Sequence, residues 1–92
     1  MAKRIHIIKR KGHKEQYESK KVYASIYAAA LNCEYGESKS EKIASTVTKK
    51  VNLWIKSKKQ VTSAQIRVQV INQLQKLDAD VYVLYKHHLD LS

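Results

Sequence analysis

The sequence predicts an α+β domain in which an N-terminal β-hairpin packs on a four-helix bundle. β-Branched residues dominate positions 5–8 and precede Gly12, a pattern typical of a short strand followed by a reversal. From Ser19 onwards, apolar residues recur at spacings of three and four, the period of amphipathic helices. The chain has 92 residues, of which 43% are hydrophobic, so it can form one modest core. We therefore expect a single domain over residues 1–92.

Local signals predict where each helix begins and which residues face the core. A third strand near residues 60–61 would extend the hairpin into a small three-stranded sheet. The predicted helix caps are Ser19, Ser38 with Glu41, Thr62 with Gln65, and Asp78. The predicted core residues are Val22, Ile26 and Ala30 in the first helix, Ile43, Val47, Val51, Trp54 and Ile55 in the second, Ile66, Val70, Leu74 and Leu77 in the third, and Val81, Leu84, Tyr85 and His88 in the fourth.

Positive charge dominates the composition. Eighteen Lys and Arg residues against eight Asp and Glu residues give a formal net charge of +10. Such a charge favours a polyanionic partner, although a solvated basic surface is the plain alternative. Much of it lies in the first 21 residues, where Glu15 and Glu18 accompany eight cations: Lys3, Arg4, Lys9, Arg10, Lys11, Lys14, Lys20 and Lys21.

Several classes of function are not expected from the composition. No apolar stretch approaches the roughly 20 residues that cross a bilayer, and no signal-peptide core is present, so we expect a cytoplasmic protein without membrane contact. Cys33 is the single cysteine, which excludes an internal disulfide and a cysteine-based zinc site. A Walker loop and an acid–base pair of carboxylates are both missing from the sequence. We therefore expect no metal site, no catalytic residues and no enzymatic activity.

The motif Lys9-Arg10-x-Gly12 at the hairpin turn is the clearest candidate for ligand binding. Arg binds phosphate oxygens in a bidentate manner, and Lys supplies a compact point charge. Lys21 lies early in the next helix, whose N-terminus has free amides and partial positive charge. The sequence therefore predicts that a phosphate binds between the hairpin and this helix.

This stretch resembles the opening of the ATP-cone family. The resemblance rests on residues 7–12 with Glu15, Tyr17, Glu18, Lys21 and Val22, on residues 61–66, and on the Tyr-x-x-Tyr pattern of residues 82–88. It implies a free-standing allosteric module that binds ATP or dATP, with Mg²⁺ accompanying the triphosphate. It also implies that the partner is a ribonucleotide reductase or a transcriptional regulator of reductase genes.

The resemblance assigns a role to each nucleotide-binding residue. Glu18 stands where relatives have Asp or Asn next to the adenine, and Arg67 stands where they often have a polar residue near the nucleotide. The remaining assignments are Lys9 and Arg10 as the phosphate pair, Lys21 as the helix cation, Glu15 as the base-contacting acid, Ile7, Val22 and Ile66 as apolar walls of the adenine pocket, and Thr62 as a hydroxyl on the phosphate side.

Two other interpretations remain open. The net charge of +10 also fits a small nucleic-acid-binding or transcription-associated protein, whose affinity would fall steeply with salt. The chain could also be a cone that has lost its ligand and serves as a protein–protein module. Thermal stabilisation by ATP or dATP distinguishes that case, because a ligand stabilises the state that binds it.

Overall fold

The computed structural model describes residues 6–8 and 14–91, with side chains for residues 17–87. Strands and helices follow one another in the order β1 (His6–Ile8), β2 (Lys14–Gln16), α1 (Ser19–Asn32), α2 (Glu37–Ile55), β3 (Gln60–Thr62), α3 (Ser63–Leu77) and α4 (Ala79–Leu91).

The three strands pair in the order β2-β1-β3. β1 is antiparallel to β2 and parallel to β3, so that Ile7 lies opposite both Glu15 and Val61. Ile8 lies opposite Thr62, the last residue of β3. Because α3 begins at the next residue, the sheet is directly connected to the N-terminus of α3.

The four helices pack in a closed ring around the core. α1 and α3 each contact both α2 and α4, which places α2 and α4 on opposite sides of the ring. The contact between α1 and α2 is the most extensive, and small buried residues on it, Ala29, Ala30 and Ala44, let the two helices approach closely. The larger fully buried side chains are Ile26, Ile55, Leu74, Val47, Val51, Val61, Val70 and Val81.

The predicted α+β architecture, a β-hairpin packed on a four-helix bundle, is wrong. Helices account for most of the described residues, and each strand is only three residues long. Among the described residues, the main neighbours of β1 and β2 are other strands, while β3 makes its main helix contact with α3. Strands this short cannot form a layer that covers a helix face, so the molecule is mostly helical.

Two of the four predicted helix caps are confirmed. Thr62 Oγ1 accepts a hydrogen bond from Gln65 N at 3.0 Å, and Gln65 Oε1 accepts one from Thr62 N at 2.9 Å, which forms the full capping box. Asp78 Oδ1 accepts hydrogen bonds from the backbone amides of Asp80 and Val81, both at 3.1 Å. Both cap residues have an extended backbone, as N-cap geometry requires.

The other two predicted caps are wrong. α1 begins at Ser19 itself, with Glu18 as the N-cap, and α2 begins at Glu37 after Gly36. Neither N-cap makes a side-chain hydrogen bond to its helix. Gly36 already has the extended backbone of an N-cap, so Ser38 lies inside the helix rather than before it.

The predicted core is confirmed along most of the helical stripes. Leu77 is an exception, with 47% of its surface exposed, because it is the last residue of α3. Trp54 and Leu84 are half-buried at the edge of the core. The side chain of His88 lies outside the described residues.

Candidate functional site

The sheet brings the backbones of several predicted site residues together. Ile7 is paired with Glu15 across β1 and β2, and the neighbouring Ile8 is paired with Thr62 at the start of α3. Lys9 and Arg10 follow Ile8 in the chain and lie outside the described residues, as do the side chains of Ile7 and Glu15. The roles of these four side chains therefore stay predictions.

The N-terminus of α1 concentrates positive charge. Glu18 is the N-cap, its carbonyl accepts a hydrogen bond from Lys21 N at 3.1 Å, and its exposed side chain does not cap the helix. The first turn contains no acidic residue but carries Lys20 and Lys21, both exposed. Cations are unfavourable next to the positive end of a helix dipole. An anion bound here would offset both positive charges.

The N-terminus of α3 offers hydrogen-bond donors. The capping box uses the amides of Thr62 and Gln65, which leaves those of Ser63 and Ala64 in the first turn for another acceptor. The Thr62 hydroxyl accepts from Gln65 but still has its own proton to donate. No acidic residue lies in this first turn. The structure is therefore compatible with the predicted contact between Thr62 and a phosphate.

Two of the three predicted adenine walls, Val22 and Ile66, have side chains that the structure describes. Both lie at the edge of the core. Their exposed fractions are 9% and 8%, the highest among its buried hydrophobic residues. Val22 is in the first turn of α1, and Ile66 is in the first turn of α3. Both therefore present a small apolar surface close to the donors of the two helix N-termini.

Tyr85 links the helices that carry Val22 and Arg67. Burial raises the pKa of Tyr85, while a hydrogen bond with Ser25 and the nearby charge of Arg67 act in the opposite direction. Ser25 in turn donates a hydrogen bond to the Val22 carbonyl at 2.8 Å. Arg67 of α3 is exposed, and its charge acts on Tyr85 of α4.

Ser25 and Tyr85 were not among the predicted site residues. Tyr85 was predicted to lie in the core because of its helical spacing. A usable signal was available, since a buried tyrosine hydroxyl needs a hydrogen-bond partner and so indicates a polar residue at the core edge.

Tyr17 connects the sheet to α2. Its hydroxyl donates a hydrogen bond to Asn52 Oδ1 at 2.6 Å, and burial raises the pKa of Tyr17 to about 12. Tyr17 lies in the two-residue connection between β2 and α1, so this bond fixes that connection against the C-terminal part of α2. Asn52 is a third residue that was not predicted for the site, because pairing across 35 positions leaves no local signal.

The described part of the chain gives no support for metal binding or for a membrane-spanning helix. No cluster of three or more His, Cys, Asp or Glu side chains suited to a metal ion occurs among the residues that the structure describes. Within the same residues, no helix has both the length and the apolar character needed to cross a membrane. Burial raises the pKa of the free Cys33 thiol, and the charges of Asp78 and Asp80 add to this effect.

Comparison with known proteins identifies the family. The family model of the ATP cone domain matches residues 5–90, which is nearly the whole chain. Comparison with curated proteins gives no match. The matched range includes β1, β2 and the N-termini of α1 and α3, where the candidate site lies. The chain therefore belongs to the ATP cone domain family, whose members are nucleotide-binding regulatory modules typical of ribonucleotide reductases.

Proposed function

We propose that this protein binds ATP or dATP between the N-termini of α1 and α3. The observation that carries the proposal is the pair of helix N-termini that have no acidic residue in the first turn, in a chain of the ATP cone family. Both termini offer amides to an anion, and α1 adds the cations Lys20 and Lys21.

In this proposal the triphosphate is bound by charge and by hydrogen bonds. Lys21 and the Thr62 hydroxyl contact it from α1 and α3, together with the amides of Ser63 and Ala64. Lys9 and Arg10 contribute further charge from the segment that follows β1, with Mg²⁺ as a companion of the phosphates. The support for these contacts is the electrostatics of the two helix ends and the family resemblance at residues 9–10.

The adenine is proposed to lie against the apolar edge of the core. Val22 and Ile66 form its walls together with Ile7, and the positions of Val22 and Ile66 in the first turns of α1 and α3 support this role. Glu15 and Glu18 accept hydrogen bonds from the adenine amino group, since ionised carboxylates are acceptors only. Arg67 lies one residue beyond Ile66 and is assigned to the rim of the pocket.

Binding is proposed to serve regulation rather than turnover, in the cytoplasm. The ligand would stabilise the arrangement of β1, β2 and the two helices that contact it, and so bias an equilibrium with a ribonucleotide reductase or a transcriptional regulator. The proposal predicts that ATP remains intact during long incubation with the protein. Release of ADP or phosphate at a rate that scales with protein concentration would contradict it.

Calorimetric titration with ATP, dATP, GTP and AMP tests the site. Lys9→Ala and Arg10→Ala are each expected to weaken triphosphate binding by roughly 1.5–3 kcal/mol, the range for a charge-assisted hydrogen bond. Lys39→Ala is the matched control, because Lys39 stacks on Tyr35 at the opposite end of the helices, with its Nζ 3.8 Å from the ring centroid. Unchanged affinity in both test variants, or an equal loss in the control, would overturn the assignment.

A further inference from the structure

A long part of the chain carries positive charge without any acidic residue. Residues 42–77 contain no Asp or Glu. They form most of α2, all of β3 and all of α3. The cations in this range are Lys42, Lys49, Lys50, Lys56, Lys58, Lys59, Arg67 and Lys76.

Helical spacing aligns Lys42 and Lys49 on the outer face of α2 with Lys56, the C-cap residue, whose backbone is also helical. Lys42, Lys49 and Lys56 are seven residues apart, so they share one face with a drift of about 20° per step. At a rise of 1.5 Å per residue they are about 10.5 Å apart along the helix. All three are exposed, and Lys50 is exposed beside them. We call these four residues the lysine ridge.

The exposed surface of α3 is polar and has no acidic residue, although it includes the cations Arg67 and Lys76. α2 packs against α3, and the exposed residues of α3 include several amide side chains that can both donate and accept hydrogen bonds. These exposed amides are Gln65, Asn72 and Gln75, with Gln69 and Gln73 half-buried beside them.

Three acidic residues of the described chain interact with tyrosines outside the ridge. After the effect of burial, the charges of Glu37 and Glu41 raise the pKa of Tyr27 on α1, so both carboxylates lie toward α1. Asp78 accepts the hydrogen bond of Tyr35 in the turn between α1 and α2. From Lys42 to its end, α2 carries no acidic residue, so a polyanion on the ridge would meet little repulsion from this part of the helix.

We propose that the lysine ridge binds the phosphate backbone of nucleic acid, on a surface separate from the nucleotide site. Regularly spaced lysines match a partner that presents a continuous row of negative charge. An acidic protein fits less well, because protein interfaces are depleted in lysine and have an apolar centre. Among the described residues, α2 and α3 each have one exposed large apolar side chain near the ridge, Leu53 on α2 and Val68 on α3. The ridge has no arginine, so it is suited to backbone contacts rather than base reading.

Fluorescence anisotropy with labelled duplex DNA and a labelled structured RNA tests the proposal over a series of salt concentrations. The test variant carries Lys42→Gln, Lys49→Gln and Lys50→Gln. The control carries Lys39→Gln, Lys76→Gln and Lys86→Gln, which removes the same charge from exposed positions outside the ridge. Each lost phosphate contact reduces the slope of log K against log salt by about one.

The test variant is therefore expected to lose a slope of about three and at least tenfold in affinity, whereas the control loses a slope of about one or less. An equal loss in both variants would overturn the proposal, because net charge alone would explain it. Tighter binding of polyglutamate than of either nucleic acid would also overturn it, in favour of an acidic protein partner. Absence of binding to both probes would do the same.

Thermal stabilisation by ATP separates this surface from the nucleotide site. The test variant is expected to keep the full stabilisation of the unmodified protein, since its three substitutions lie on exposed positions of α2. Loss of that stabilisation would overturn the separation of the two surfaces. Failure of ATP to stabilise the unmodified protein would contradict the proposed nucleotide function and leave the ridge test unaffected.

Discussion

At the scale of single residues, Asp78 joins two parts of the molecule. Its Oδ1 atom caps α4, and its two oxygens accept the Tyr35 hydroxyl at 2.9 and 3.2 Å. Tyr35 lies in the turn before α2, and this hydrogen bond raises its pKa to about 12. One carboxylate thus fixes the start of α4 against the connection between α1 and α2.

Asp78→Ala is expected to lower the free energy of unfolding by about 2–3 kcal/mol, since it removes a helix cap and leaves the Tyr35 hydroxyl without this acceptor. Asp80→Ala is the control, because Asp80 is exposed and contributes through the helix dipole, worth up to about 1 kcal/mol. Urea unfolding of both variants measures the difference. Equal destabilisation would contradict the role of Asp78.

The Tyr17 hydroxyl predicts a change of stability at high pH. Because burial raises its pKa from 10.0 to about 12, the folded state favours the neutral phenol. The contribution of this group is complete below pH 10 and is lost as pH rises toward about 12. Tyr17→Phe should therefore lose less stability than the unmodified protein over this range.

Denaturant unfolding at several pH values measures this difference, with Tyr82→Phe as the control. All other ionisable groups are the same in Tyr17→Phe and in the unmodified protein, so the comparison isolates Tyr17. The same pH dependence in Tyr17→Phe and the unmodified protein would contradict the assignment.

At the scale of helices and strands, local signals were predictable and long-range packing was not. The Thr62–Gln65 capping box was predicted because both partners lie within one turn. The prediction of Ser38 as a cap was wrong because Gly36 is the N-cap and the helix begins two residues earlier than predicted. The position of this N-cap depends on the backbone of the preceding turn. The prediction that the hairpin packs on the helix bundle was wrong. Strands of three residues make few contacts, so local sequence does not determine which elements they pack against.

In the candidate site, too, local features could be predicted and long-range contacts could not. Val22, Ile66 and Thr62 could be placed at helix starts from spacing and capping alone. The contacts of Asn52 with Tyr17 and of Ser25 with Tyr85 could not be predicted, because the two partners are far apart in the sequence.

Substitutions in the capping box separate the structural and binding roles of Thr62. Thr62→Ala is expected to cost about 1 kcal/mol of stability and also to weaken ATP binding, because it removes both the cap and the hydroxyl donor. Gln65→Ala should cost stability but keep ATP affinity, since Gln65 caps the backbone of Thr62 only. Thr62→Ser should keep both.

Chemical denaturation and calorimetry on the same samples measure the two effects. If Thr62→Ala and Gln65→Ala reduced ATP affinity equally, the hydroxyl of Thr62 would have no contact of its own with the ligand.

At the scale of the whole molecule, the ring of helices determines where ligands can bind. α1 and α3 both begin next to the sheet and end at the opposite side, near Tyr35 and Asp78. The positive ends of both helix dipoles are therefore at the sheet. This arrangement favours anion binding on the sheet side of the fold.

Ligand binding on that side predicts a rise in thermal stability. ATP or dATP at about 100 times its dissociation constant should add about 2.7 kcal/mol to the free energy of unfolding. AMP should add less at the same concentration, because it lacks two of the phosphates. Thermal unfolding with each nucleotide measures the order, and equal stabilisation by AMP and ATP would contradict a site built for the triphosphate.

An amide NMR titration with ATP tests the central claim most directly. The claim is that the N-termini of α1 and α3 bind one nucleotide together. We predict that the amides of residues 19–22 and 63–67 shift with a common saturation curve, while those of Tyr35 and Ser40 at the opposite end stay unchanged. Shifts that are largest at Tyr35 and Ser40, or that follow the lysine ridge of α2 alone, would contradict it.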